Sequence, residues 1–261
     1  MTASPDFGRL ADQYDRLRPV DDNWREIFEL AVRGGDLRGQ RVLDCGCGTG
    51  RLARALVETA AARVWGVDPE PEMLRVARST VPAGVGLKQG WAEELPFRDD
   101  WFDRAVMWLV CHLVDRPASF RELRRVLAPG GQLVVVTFDR VHFDGFWLNE
   151  LFPSLEKIDR VRFPTADDLR SELQSAAFET IAFFRRSQRA SLSRDEALER
   201  IRAGHISTFD LLDPAEVRAG RERAEKELPP VVEYALEWLI AVAGSSGSTP
   251  SARGAKLSVD T

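Results

Sequence analysis

Two carboxylates and three glycines carry most of the chemistry that can be read from this chain. Asp44 stands at the mouth of a turn in which Gly46, Gly48 and Gly50 occupy alternate positions, and Asp68 lies about 20 residues beyond that turn. Glycine serves in such a turn because the chain must bend sharply and let backbone N–H groups approach a ligand with no Cβ in the way. The turn residues Cys45, Gly46, Cys47, Gly48 and Gly50 are therefore expected against a ligand. A carboxylate beside them repels a pyrophosphate but suits a ligand carrying an ammonium group, so Asp44 narrows the choice. Asp68, with Pro69 beside it, stands where an acid holds a ribose diol by two hydrogen bonds. Further on, Ala92 and Glu93 are placed to flank a purine and accept from its exocyclic amine, and Met73 to pack on the ring face.

A ligand with an adenine, a ribose diol and an ammonium but no phosphate meets these demands, and S-adenosylmethionine is such a ligand. A nicotinamide dinucleotide meets them less well. Its G-x-G-x-x-G fingerprint needs a third glycine where Arg51 stands. A P-loop is excluded, because no Gly-Lys-Ser/Thr follows the turn.

The elements that must position these residues follow from the apolar pattern. Strands are expected at 41–44, 64–68, 86–89, 102–108 and 132–138, the last being the most β-branched run in the chain. Helices are expected at 50–61, 70–79 and 116–127, with a further helix allowed between the third and fourth strands. Before the first strand, residues 7–17 form a short amphipathic segment, and Asn23 is the expected N-cap of a helix over 24–33 that Gly34 and Gly35 stop. Beyond Asp139 the pattern loses its period. Residues 140–163 are rich in aromatic side chains, Thr165 opens a helix with a Thr-x-x-Asp capping box, and 178–185 reads as a strand. Helices opening at Ser193 and Asp213 precede a last strand over 232–242. Alternating strand and helix implies a doubly wound, mainly parallel seven-stranded α/β sheet with helices on both faces. The expected division is a helical flap (1–35), a ligand-binding core (36–186), a helical lid insertion (187–230), a last core strand (231–243) and a disordered tail (244–261).

Composition bounds the partners. The chain has 261 residues, 44% of them hydrophobic, which is enough for a large buried core, and its net charge of −5 argues against a nucleic-acid groove. Three cysteines without a C-x-x-C pair, and no histidine at zinc-ligand spacing, give no metal site. Cys45 and Cys47 read as small side chains tolerated in a tight turn. The N-terminal residues have no basic region followed by an apolar run, and no stretch reaches the length of a membrane span, so a cytoplasmic protein is expected. Monomer and homodimer both remain open.

Val42-Leu43-Asp44-Cys45-Gly46-Cys47-Gly48-Thr49-Gly50 resembles motif I of the class I S-adenosylmethionine-dependent methyltransferases. Gly66-Val67-Asp68-Pro69-x-x-x-Met73 is similar to their acidic motif, and Gly90-x-Ala92-Glu93-x-Leu95-Pro96-Phe97 to their adenine loop. The resemblance continues through His112 and through Arg121 to Leu133, and is nearest to small-molecule enzymes of the ubiquinone and menaquinone biosynthesis type. It covers about residues 7–138. Two departures stand out: Cys45 replaces a larger apolar residue, and Met107-Trp108 replaces small or polar residues. The resemblance further implies that Tyr14 and Arg18 belong to a flap over the cofactor, Tyr14 on the sulfonium side and Arg18 towards the methionine carboxylate.

Methyl transfer is an in-line displacement in which alignment and desolvation supply much of the rate, and a base is needed only if the nucleophile must lose a proton. The candidate bases are His112 and His142, each after a strand at the ligand edge, and His205 in the insertion. Trp108, which also borders the cofactor, and Phe143, Phe146 and Trp147 are candidates to line the pocket of a flat or apolar small-molecule substrate. A nicotinamide-dependent oxidoreductase and a non-catalytic S-adenosylmethionine-binding module remain as other readings of the same residues.

Overall fold

The computed structural model describes residues 5–245. Seven strands form one sheet in the order β3-β2-β1-β4-β5-β7-β6. The strands are β1 (Arg41–Cys45), β2 (Arg63–Asp68), β3 (Gly86–Gln89), β4 (Phe102–Trp108), β5 (Leu127–Phe138), β6 (Thr180–Ser193) and β7 (Val231–Gly244). The first five pair in parallel, and β7 runs antiparallel to both β5 and β6. The strand order reverses at β1, where β2 and β4 lie on opposite sides, and a sheet of this kind opens a crevice there at the carboxyl ends of its strands.

Both faces of the sheet are buried, and successive side chains divide between them. In β5, Leu133 and Val135 pack with Phe120 and Leu123 of α5 (Arg116–Val126) and with Leu169 and Leu173 of α7 (Ala166–Ser175). Val134 and Val136 point the other way, to Ile27 and Phe28 of α2 (Asp22–Gly34) and to Leu52 and Leu56 of α3 (Arg51–Ala60). The short amphipathic start of the chain ends in α1 (Tyr14–Leu17), and α4 (Pro71–Thr80) joins β2 to β3. Each fully buried Leu, Ile or Phe contributes roughly 1.5–3 kcal/mol.

A third cluster lies apart from the sheet. Leu148, Leu151, Phe152 and Leu155 pack on Leu198, Ile201, Phe209 and Ala224. This joins α6 (Leu155–Arg162) to α8 (Arg194–Ala203) and α9 (Pro214–Glu227), the two helices inserted between β6 and β7.

Several expectations are corrected. The N-cap of α2 is Asp21, whose carboxylate accepts from Trp24 N, and Asn23 instead donates to Arg189 O. No helix stands between β3 and β4 among the described residues. Helix α6 occupies the aperiodic aromatic stretch, where its eight residues are too few to show a period. Strand β6 runs to Ser193, because its pairing with β7 continues from Thr180↔Gly244 to Ser193↔Val231, so residues 187–193 belong to a hairpin and not to the inserted helices. Of the tail expected over 244–261, Gly244 instead ends β7, paired with Gln132 and Thr180, and residues 246–261 lie outside the described residues.

At the opposite edge from the crevice, Arg41 ties β1 to β4. Its guanidinium donates to both oxygens of Asp103 at 3.0 and 2.7 Å, and its backbone N donates to Asp103 Oδ2 at 2.9 Å. These hydrogen bonds hold the Asp103 carboxyl below its ordinary value of 3.8. Its stabilising contribution is therefore present above that value and disappears as the pH falls through the lowered one. Asp103→Ala is expected to cost roughly 1–3 kcal/mol in urea denaturation at pH 7. An unchanged midpoint would show that the pair does not hold β1 against β4.

Candidate active site

The carboxyl ends of β1, β2 and β4 open into a cavity of about 560 Å³, within the range of small-molecule sites. Its floor is the glycine turn. Gly46 N and Cys47 N both donate to Val67 O, at 2.8 and 3.0 Å, and Gly48 N donates to Asp68 Oδ2 at 2.8 Å. The sequence reading expected these N–H groups to face a ligand; here they fasten the turn to β2. What the glycines supply is space. Gly46 has φ +78° and a Cβ there would meet Val110 Cγ2 at 2.4 Å, whereas at Gly48 (φ +52°) nothing lies within 4 Å of such an atom. Gly46 and Gly48 line the cavity, and Cys45, Cys47 and Gly50 do not. The two thiols are buried behind the turn, and burial first, then the Asp44 charge, pushes both above their ordinary value, so they stay protonated.

The two acids differ in placement. Asp68 lines the cavity at the end of β2, and each of its oxygens accepts one backbone N–H, Oδ2 from Gly48 and Oδ1 from Glu70 at 2.9 Å. An ionised carboxylate oxygen can accept more than one hydrogen bond, so both keep capacity for a diol. Asp44 is 1% exposed and lies beneath the turn, outside the cavity wall. Its Oδ2 has no partner, and burial, reinforced by the charge of Asp68, raises it to about 7 against the opposing hydrogen bond from Ala53 N. An orphaned buried carboxylate oxygen under an open glycine cradle, beside a carboxylate with spare acceptor capacity, fits an ammonium-bearing adenosyl ligand.

Pro69, Met73, Ala92 and Glu93 all border the same cavity, and Glu93 Oε1 already accepts from Asp115 N at 2.8 Å. From the N-terminal segment, Tyr14 and Arg18 reach it too. The Arg18 guanidinium lies 4.5 Å from the Tyr14 ring centre, donates to the Tyr14 hydroxyl and donates to His205 O in the inserted segment. Thr49 Oγ1 donates to Asp15 Oδ1 at 2.7 Å, which fastens this segment to the glycine turn. Arg51, read from the sequence only as a missing glycine, also lines the cavity. It lies over Trp24 at 5.3 Å and donates to Arg18 O, with no carboxylate in ion-pair contact among the described residues. Burial lowers its pKa, and the Arg18 charge adds to that lowering.

The remaining wall is aromatic. Phe138, Phe143, Phe146, Trp147, Phe163 and Trp238 line it with Trp108, whose ring packs on Trp24 at 5.3 Å and on Trp238 at 6.3 Å. Leu109, directly after β4, is held at φ +55° with its N–H on Val136 O, a strained conformation for a residue with a Cβ.

All three histidines reach the cavity, and each is depressed first by burial. His112 stacks on Phe163 at 4.0 Å and lies well below its ordinary value, with Arg162, Arg18 and Arg116 adding to the effect; its Nδ1 has no partner. His142 stacks on Phe138 at 4.2 Å, bonds the Ala235 carbonyl and falls to about 4. His205 places Nδ1 3.2 Å from Arg200 O and falls to about 3. All three imidazoles are therefore neutral at pH 7, able to accept a proton but weakened as bases.

Sequence reading missed a buried polar group on the inserted side. Asp159 and Arg162 of α6 meet Ser207 and Thr208, and Asp159, Ser207 and Thr208 line the cavity. The i,i+3 spacing of Asp159 and Arg162 was the available signal, but only the fold brings Ser207 and Thr208 to it.

Because unfolded His142 takes up a proton below about 6.5 and the folded residue only near 4, the unfolded state binds more protons between those values. Stability should therefore fall as the pH is lowered through that window, by roughly 3 kcal/mol from this residue. Urea denaturation of wild type and His142→Gln between pH 7 and pH 4 measures it. The two curves should converge as the pH falls; parallel curves would show that the ring titrates alike in both states.

A family profile described as a methyltransferase domain matches residues 42–131. The chain is 44% identical over 149 residues to an uncharacterised methyltransferase of Mycobacterium tuberculosis, covering 56% of each, so it spans little more than half the length of that relative. It is 34% identical over 164 residues to the demethylmenaquinone methyltransferase of Tropheryma whipplei, covering 58% of this chain and 67% of that one. Among solved structures, the YcgJ protein of Bacillus subtilis superposes with a TM-score of 0.60 at 22% identity, over 85% of this chain and 98% of that chain, a likeness of fold. Motif, sheet order and kinship agree: the chain belongs to the class I S-adenosylmethionine-dependent methyltransferases.

Proposed function

We propose that this protein transfers a methyl group from S-adenosylmethionine to a small organic molecule held in the aromatic half of the cavity. The observation that carries the reading is Asp68, a cavity-facing carboxylate fixed by Gly48 N and Glu70 N directly beside the open side of Gly48. In this reading Asp68 takes the ribose hydroxyls, Met73 and Ala92 contact the adenine, and Glu93 accepts from its amine. Asp44 compensates the ammonium charge through the turn, and Arg18 and Arg51 supply positive charge for the methionine carboxylate. The bound cofactor supplies an electrophilic methyl on a sulfonium.

What the chain's own residues do is orient and dehydrate. Trp108, Phe143, Phe146 and Trp147 wall the substrate side, and their rings exclude water from a reaction that gains from desolvation. The N-terminal segment serves as a flap and the helices between β6 and β7 as a lid. Arg9 with Asp210 and Arg16 with Glu199 support that assignment, since both pairs join the two segments. His112 and His142 are the favoured proton acceptors, each neutral, with Nδ1 unpartnered among the described residues and in the cavity wall. No helix of the described residues is long and apolar enough to cross a membrane, and three free thiols suit the reducing cytoplasm.

Calorimetric titration with S-adenosylhomocysteine tests the reading. Asp68→Ala should weaken binding by roughly 1.5–3 kcal/mol, about ten- to hundredfold, through loss of a charged hydrogen-bonding partner. Unchanged affinity would remove the ribose assignment, and thermal stabilisation by NADH but not by S-adenosylhomocysteine would favour an oxidoreductase.

A further inference from the structure

The cavity has a second polar end that the cofactor does not use. Asp159, on the last turn of α6, is 2% exposed, yet it lines the cavity together with Ser207 and Thr208. Its Oδ1 accepts from Thr208 Oγ1 at 2.6 Å and from Arg162 Nη1 at 3.3 Å. Arg162 is itself fixed by Thr208 Oγ1 at 3.0 Å and Ser207 Oγ at 2.9 Å. Every one of these bonds converges on Oδ1 or on the guanidinium beside it. Oδ2 has no donor among the described residues.

A clamp between α6 and the inserted segment would need only Oδ1. The second oxygen keeps its acceptor capacity for something in the cavity that carries a donor. Burial already raises Asp159 to about 6 in spite of Thr208 and Arg162. The surroundings say what that something is attached to. Phe163, at the C-cap of α6, donates its N–H to Asp159 O and packs on Phe143 at 4.7 Å and on His112 at 4.0 Å. Phe143 meets His142 at 5.1 Å, and His142 lies on Phe138. Asp159 thus stands one helical turn before the first ring of this wall and lines the same cavity.

We propose that Asp159 Oδ2 is the acceptor that selects the substrate, taking a hydrogen bond from a hydroxyl or amine hydrogen on a flat, largely apolar molecule lying along Phe163, Phe143 and Phe138. The assignment rests on the methyl-transfer reading for which end of the cavity belongs to the substrate. Asp159 is a specificity residue here, and Thr208 and Arg162 are positioning residues that turn Oδ2 towards the cavity.

The probes are 2-naphthol and 2-methoxynaphthalene, the same ring system with and without a donor, titrated into the protein with and without saturating S-adenosylhomocysteine and followed by tryptophan fluorescence. Wild type should bind 2-naphthol at least about tenfold more tightly. In Asp159→Asn the amide oxygen keeps the bonds from Thr208 and Arg162 and the NH2 group replaces Oδ2, so the preference should vanish or reverse. Phe163→Ala should weaken both probes and keep their ratio. Equal affinity of wild type for the two probes, binding of neither, or a preference retained in Asp159→Asn would overturn the proposal, the wild-type comparison standing even if a variant fails to fold. Absent binding of S-adenosylhomocysteine to wild type would instead sink the methyl-transfer reading, while its binding alongside undiscriminated probes would sink the acceptor alone.

Discussion

The Val67 carbonyl holds the site together. It accepts from both Gly46 N and Cys47 N, and the next residue, Asp68, accepts from Gly48 N. Three consecutive N–H groups of the turn after β1 are thereby spent on β2. The parallel register of the two strands, Cys45 opposite Val67, makes this geometry available. Once the turn is pinned there, Asp44 is trapped beneath it and Asp68 is presented above it. Parallel pairing, glycine turn and ligand carboxylates are therefore one arrangement.

Electrostatics follow from the same burial. Burial first, and then the charge of Asp68 at the same end of the sheet, keep the proton of Asp44 to about 7. The guanidinium groups of Arg18 and Arg51 gather on the other side of the turn, bound to backbone carbonyls and aromatic rings. The site thus keeps acceptors and cations apart, which suits a zwitterionic amino-acid portion better than a phosphate. The imidazoles stay neutral because rings, not water, surround them.

The N-terminal segment and the inserted segment both reach the cavity wall, Tyr14 and Arg18 from one and His205, Ser207 and Thr208 from the other. The inserted helices share a cluster with α6, Leu148 to Ala224, and Ala197 of α8 packs on Leu192 of β6 and Val232 of β7. Ion pairs between exposed groups, such as Arg9 with Asp210, join flap and insertion at little energetic gain.

The sequence by itself determined the parallel core, because Val42, Leu43 and the apolar runs of β4 and β5 have no stable place except between two helical layers. It also determined the turn, since positions such as Gly46 admit no side chain, and it located Asp68 by its distance from that turn. Tertiary structure decided the rest. That the turn's N–H groups face β2 and not a ligand depends on strand register, which spacing does not encode. The extension of β6 to Ser193 depends on its partner strand, and α6 is too short for its period to stand out. Nothing in the local sequence beyond its i,i+3 spacing to Arg162 marks Asp159; only the fold brings Ser207 and Thr208, nearly fifty residues away, against it and buries all three in the wall of the cavity. Local chemistry can be read along the chain; convergence of distant side chains on one cavity is set by packing alone.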